Sequence, residues 1–202
     1  MKTDVAKFVR FYNSSLGKQI LHREAAYVYH EVHGSEAILD VGCGIGAFEQ
    51  QLPTLPIIGV DVSEAMLEEA RTRSAKTFIH GDATDLQFPD AAFDAVFTVT
   101  TLEFLEDYQQ AVREIARVTQ PRGTLVVMMV NPHSNYFREN VQRPGDYFQR
   151  IQHSTAEIRE YVAHFYVIRK DEFFLGIQGQ HVFETDDEAL ASLSVLVGSK
   201  KP

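Results

Sequence analysis

The segment Ile38-Leu-Asp40-Val-Gly42-Cys-Gly44-Ile-Gly46-Ala47 limits the fold more than any other part of the chain. A short apolar run, Ala37 to Val41, enters three closely spaced glycines, and a helical stretch from Ala47 to Leu52 follows, stopped by Pro53. An apolar strand that passes through a glycine turn into a helix is the opening unit of a doubly wound α/β sheet. In that setting the missing Cβ atoms let backbone approach a ligand.

The alternation then repeats. Ile57–Asp61, Lys76–His80, Phe93–Thr100 and Thr124–Val130 read as strands separated by helical patterns. Ser63 is the expected N-cap of one intervening helix. Asp107 is that of another, whose Tyr108, Ala111, Val112, Ile115 and Val118 share a face. Strands alternating with helices predict βαβ units and a parallel sheet. Ahead of them, residues 3–32 read as two helices broken near Asn13–Gly17, the second carrying a buried stripe of Ile20, Leu21, Ala25, Val28 and Val32. After Val130, Ser154 with Glu157 forms a capping box for a helix to Phe165. Tyr166–Phe174 and Leu193–Lys200 follow as two final strands, with a long loop expected over Gly176–Ala189. The expected organisation is a single domain, residues 1–202, in which residues 1–34 form a helical cap or lid on a core of residues 35–202.

Charge narrows the partners. The formal net charge of −9 repels a phosphate backbone, so a small-molecule partner is expected and nucleic acid is not. The longest apolar run, Leu125–Val130, is too short for a membrane span. Cys43 is the one cysteine, which excludes an internal disulfide, and charges are scattered through the first ten residues. A cytoplasmic location is expected.

Two ligands compete for the glycine turn. Gly42, Gly44 and Ala47 satisfy the dinucleotide pattern G-x-G-x-x-G/A, which would suit an NAD-linked oxidoreductase. Asp40 and Gly46 extend it to D-x-G-x-G-x-G, the form typical of S-adenosylmethionine sites. A pyrophosphate over this turn would be opposed by Asp40, whereas the cationic amino group and sulfonium of S-adenosylmethionine would be attracted. Asp61, at the end of the second strand, can accept both ribose hydroxyls of either ligand. Asp82, after the third strand, can accept the adenine exocyclic amine while the Ala83 N–H meets ring N1.

With Gly59-Val-Asp-Val-Ser63, Met66, Gly81-Asp-Ala83, Phe93-Asp94 and Pro121-Arg-Gly-Thr-Leu125 added, the chain resembles class I S-adenosylmethionine-dependent methyltransferases, in their small-molecule branch. The match is good over Leu39 to Val130. The resemblance implies a Rossmann-like seven-stranded sheet in the order 3-2-1-4-5-7-6 with the last strand antiparallel. It also implies methyl transfer to a small-molecule acceptor, with S-adenosylhomocysteine as product. Gly42, Gly44, Asp61, Val62, Met66, Asp82 and Ala83 would contact the donor, with Thr98 and Val99 near its amino-acid end. Tyr12, in the lid region, would reach its methionine portion. Glu103-Phe104 stands where many relatives carry histidine after Leu102, and Arg122 stands where a second glycine is usual.

In-line transfer from a sulfonium mainly requires positioning and exclusion of water, with a base only where the nucleophile carries a proton. Glu103, just past the fourth strand, is the first candidate for base or substrate anchor, with a solvated loop glutamate as the alternative. His133 and Tyr136 follow the fifth strand at the same sheet edge. Asn135–Arg150 mixes aromatics with Arg138, Arg143 and Arg150, and reads as a cover for the sheet edge, with a substrate-shaping cap or a stacking nucleic-acid contact as the alternatives. No metal site is expected, because His22, His30 and His33 lack converging carboxylates or cysteines. A binding module that holds the donor without catalysis is the other reading.

Overall fold

Because strand side chains alternate between faces, each central strand supplies two layers. The computed structural model describes residues 2–140 and 147–202. Its parallel strands are β1 (Ile38–Val41), β2 (Ile57–Asp61), β3 (Thr77–His80), β4 (Phe93–Val99) and β5 (Thr119–Val130). α3 (Ala47–Gln51), α4 (Glu64–Arg73) and α5 (Tyr108–Val118) join β1 to β2, β2 to β3 and β4 to β5, whereas β3 passes to β4 through a loop where a helical pattern is expected. One face of the sheet, through Ile38, Ile57, Phe97, Val126 and Met128, packs against α1 (Lys2–Asn13), α2 (Ser15–Val32) and α3. The other, through Leu39, Val60, Val96, Leu125 and Val127, packs against α5 and α7 (Thr155–Phe165). A short α6 (Asn135–Asn140) follows β5.

The remaining strands are antiparallel. β6 (Tyr166–Gln178) pairs with β8 (Ala191–Lys200), which inserts beside β5, so the sheet order is β3-β2-β1-β4-β5-β8-β6-β7. The expected seven-strand order is present, with β8 in the place of the seventh strand. β7 (His181–Phe183) is an added edge strand that forms a hairpin with β6 inside the span read as a loop.

Local chemistry sets several boundaries. Ser14 caps α2 by accepting from Gly17 N at 3.0 Å, and α1 lies so close that a Cβ on Gly17 would fall 2.0 Å from Phe11 O. Asp107 accepts from Gln110 N at 2.8 Å, and the capping box of Ser154 with Glu157 is complete. Ser63 stands at the N-cap of α4, but its side chain makes no capping bond. Instead its backbone N–H donates to Asp61. β5 starts earlier than expected: Thr119 pairs with Phe93, and the regular register resumes only at Thr124 with Ala95. Among the described residues no helix is long and apolar enough to cross a membrane.

Candidate active site

The glycine turn sits at the carboxyl edge of the parallel strands, folded over the tip of β2. The N–H groups of Gly42 and Cys43 both donate to Val60 O, at 2.8 and 3.1 Å. Gly42, Gly44 and Gly46 have φ of 84°, 53° and 68°, the left-handed region that favours glycine. Their surroundings differ. A Cβ on Gly42 would lie 2.3 Å from Thr101 Oγ1, and one on Gly46 would lie 2.8 Å from the Phe78 ring. One on Gly44 would meet nothing within 4 Å. Gly42 and Gly46 permit close packing, whereas Gly44 offers bare backbone to open space.

Asp61 is fixed beside that space. Its Oδ2 accepts from Gly44 N at 2.9 Å and its Oδ1 from Ser63 N at 2.8 Å. Burial raises its pKa, partly offset by these two donors. Each oxygen keeps a further lone pair for a ligand hydroxyl. Val62, the next residue, is 65% exposed, an apolar surface open to a flat ring. Asp82 is exposed, and its Oδ1 accepts from Thr84 N and Thr84 Oγ1, which lowers its pKa. Ala83 is half-buried beside it, and Met66 packs against the cluster under α1 and α2. A vicinal diol and an adenine ring fit this row of acceptors and apolar surface.

Asp40 differs from the expected open carboxylate. Residue 40 shares a face with Ile38, toward α3, so its side chain lies buried behind the turn beside the buried Glu49. Burial, then the neighbouring Glu49, hold Asp40 well above the usual carboxylate range, and burial brings Glu49 to about 7. The Cys43 thiol is pushed up by burial and by Asp40, Glu49 and Asp61, and is no reactive thiolate. Three carboxyl groups thus converge beneath the turn. The open Asp40 carboxylate expected to oppose a pyrophosphate is therefore replaced by a buried acid group whose neutral forms burial favours.

Next to the turn lies a cavity of about 290 Å³. Val99, Thr100, Val130, Ile177 and Leu193 form its floor from the strand ends. Phe8, Phe11 and Tyr12 of α1 wall one side, and Tyr136, Tyr147 and Phe148 another. Thr100 turns left-handed at φ 47° and donates its N–H to Met128 O at 2.7 Å, while its carbonyl accepts from Tyr147 OH at 3.3 Å. Thr101, one residue on, is the side chain that crowds Gly42, so donor turn and cavity share a wall.

Glu24 of α2 also faces this cavity. It is only 5% exposed and has no hydrogen-bond or ion-pair partner among the described residues. Burial raises its pKa to about 7. Burial, then Glu24, Tyr147 and Asp40, push the phenol of Tyr12, another cavity-lining residue, up.

The sequence-expected residues therefore divide. Gly44, Asp61, Val62, Asp82 and Ala83 line the open cleft, while Tyr12 and Val99 line the cavity. Thr98 is buried within the sheet with its hydroxyl unpartnered. Glu103 is neither a cavity residue nor a solvated one. Its buried carboxylate accepts from Val130 N at 2.8 Å and ties the 3₁₀ turn Leu102–Phe104 to the end of β5. Burial raises its pKa to about 7. His133 is exposed away from the cavity, its N–H donating to Asn131 Oδ1 at 2.9 Å. Arg150 reaches the cavity mouth, and Arg143 lies outside the described residues.

Two acids escaped the sequence reading. Glu24 interrupts the stripe of Ile20, Ala25 and Val28 at a helical position that should be apolar, a legible signal. Glu49 sits in a helix too short to show a period.

Residues 39–127 match the family model described as a methyltransferase domain. A demethylmenaquinone methyltransferase of Deinococcus radiodurans is 34% identical over 68% of this chain and 60% of its own length. A 27-O-demethylrifamycin SV methyltransferase of Amycolatopsis mediterranei is 31% identical over 48% of this chain and 39% of its own. The chain thus spans less than two thirds of these relatives. A crystal structure from Thermotoga maritima, described as a possible histamine N-methyltransferase, superposes with a TM-score of 0.78 at 24% identity, covering 98% of this chain and 96% of that one.

Proposed function

We propose that this chain, which belongs to the class I S-adenosylmethionine-dependent methyltransferases, transfers a methyl group from S-adenosylmethionine to a small-molecule acceptor. One observation carries the reading: an open cleft at Gly44 and Asp61 shares the Thr100–Thr101 wall with an aromatic-lined cavity of about 290 Å³. Such a chamber suits a small acceptor.

S-adenosylmethionine supplies a methyl carbon already activated by its sulfonium leaving group. The chain's share is placement and dryness. Gly44 leaves room for ligand against backbone, and Asp61, oriented by two N–H donors, accepts the ribose hydroxyls. Asp82 and Ala83 meet the adenine edge, with Val62 and Met66 beside its faces. Phe8, Phe11 and Tyr12 of α1 wall the cavity, and their rings help to exclude water from it. Glu103 acts as a positioning residue, because its bond to Val130 N fixes part of the cavity floor.

Calorimetric titration with S-adenosylhomocysteine and, separately, NAD tests the ligand assignment. Wild type is expected to bind S-adenosylhomocysteine and not NAD, and Asp61→Ala to lose about tenfold or more in affinity. Binding of NAD in preference reverses the reading. Labelled donor with a small-molecule extract should then yield labelled product; none under saturating donor would leave a binding module.

A further inference from the structure

We propose that the acceptor is an amine, held through its nitrogen by the Glu24 carboxylate inside the aromatic wall of the cavity. This rests on the methyl-transfer reading above and narrows it to one acceptor class.

Glu24 occupies a place that packing alone would give to an apolar side chain. It lies between Ile20 and Val28 on the buried face of α2, and its carboxyl group looks into the cavity rather than into solvent. A carboxylate withdrawn from water is costly unless an opposite charge or good donors meet it. Among the described residues the chain supplies neither. Lys7 and Arg150 border the same cavity, but both are exposed residues at its mouth and neither forms an ion pair with Glu24. The missing partner is therefore sought in the ligand.

The remaining walls favour the same sign. Phe8, Phe11, Tyr12, Tyr147 and Phe148 present rings around the space, and aromatic faces attract a desolvated cation. A carboxylic acid enters near neutrality as an anion that would stand against an ionised Glu24, and a neutral phenol or alcohol offers that carboxylate no opposite charge. An ammonium group gains from the same carboxylate. It must also shed a proton to expose its lone pair, and Glu24, brought by burial to about 7, is suited to take it near neutrality. The nitrogen lone pair then forms the N–C bond to the methyl carbon while the C–S bond breaks. The bonding pair leaves on sulfur, the positive charge passes to nitrogen, and the proton on Glu24 returns to solvent.

Among the described residues, the groups that could modulate Glu24 are few. Tyr12 and Lys7 face the cavity from α1, Tyr136 from α6, and Tyr147 and Arg150 from the 3₁₀ turn Tyr147–Arg150. The strand ends contribute only Val99, Thr100, Val130, Ile177, Ser192 and Leu193, none of which titrates.

Benzylamine, phenethylamine and hexylamine, each paired with the alcohol of the same skeleton, are titrated calorimetrically into the protein saturated with S-adenosylhomocysteine. At least one amine is expected to bind roughly tenfold or more tighter than its alcohol. Glu24→Gln should abolish that preference and leave S-adenosylhomocysteine affinity within about twofold. In the wild type, amine affinity should rise from pH 6 to pH 8 as Glu24 ionises, because alkylammonium groups stay charged in that range, while alcohol affinity stays flat. This arm stands even where Glu24→Gln fails to fold. Equal binding of amines and alcohols, a preference that persists in Glu24→Gln, or a flat pH profile overturns the proposal. So does a tenfold loss of S-adenosylhomocysteine affinity in Glu24→Gln, which would assign Glu24 to the donor. Failure of the wild type to bind S-adenosylhomocysteine defeats the methyl-transfer reading itself.

Discussion

Gly42 and Gly44 have the same chemistry and both sit left-handed, yet they should respond in opposite ways to one added methyl group. In Gly44→Ala the new Cβ enters open space. The fold then bears only the left-handed penalty, about 1 kcal/mol, or a few degrees in melting temperature. S-adenosylhomocysteine affinity should nevertheless fall about tenfold or more, because the methyl group stands where ligand would approach the backbone. In Gly42→Ala the Cβ meets the Oγ1, Cγ2 and Cβ of Thr101, all within 3.0 Å. Thr101 is short and branched, and its hydroxyl is tied to Val99 O, so it cannot swing clear. That substitution should cost roughly 2–3 kcal/mol in urea unfolding. Similar stability for the two variants would contradict the packing role of Gly42, and unchanged ligand affinity in Gly44→Ala would contradict the ligand's approach to that backbone. The motif D-x-G-x-G-x-G marks all three glycines as special, but only packing around them separates their roles. Asp40 carries the same lesson: its place in the motif is legible, and its retreat behind the turn beside Glu49 depends on which face residue 40 occupies.

Elements with a strong period or cap were readable, and those set by tertiary contact were not. α7 shows the first kind. Its capping box satisfies N-terminal donors, and Ile158 and Val162 bury against the sheet face shared by Tyr166 and Leu196. Ser154→Ala should lower stability by about 1 kcal/mol while S-adenosylhomocysteine affinity stays unchanged, since α7 packs on the face opposite the cavity. A coupled loss of affinity would mean that α7 supports the site through the sheet. β7 shows the second kind, since three residues are too few for alternation to register, and their pairing with Gly176–Gln178 follows from the path of β6. That path includes Leu175 at φ 72°, a left-handed leucine that no local signal announces. It is tolerated because the side chain is fully buried in the core under α2. Arg122, at φ 66°, is more legible, because the family resemblance leads to glycine at this position, and it lies where the register between β4 and β5 is interrupted.

Across the whole molecule, buried acids set a pH dependence opposite to that of an ordinary carboxylate-paired protein. Glu24, Glu49 and Glu103 each rise by burial from 4.5 to about 7. Between those values the unfolded chain has released protons that the folded chain keeps, so stability falls as pH rises toward 7 and levels off above it. Asp82, Glu114 and Glu157 are lowered instead, by hydrogen bonds to Thr84, Arg117 and Ser154. Their stabilisation is present throughout the neutral range and is lost only below the usual carboxylate values, so the two groups do not overlap. Glu103 isolates the effect, because its carboxylate meets Val130 N through one oxygen while the other has no partner. Glutamine preserves the acceptor and cannot ionise. Glu103→Gln should therefore shrink the stability difference between pH 6 and pH 8 by about 1 kcal/mol relative to wild type, measured by urea unfolding at each pH. Parallel profiles would mean that the Glu103 carboxyl is already charged in the folded protein at pH 6. In that case its bond to Val130 N, rather than burial, governs its titration.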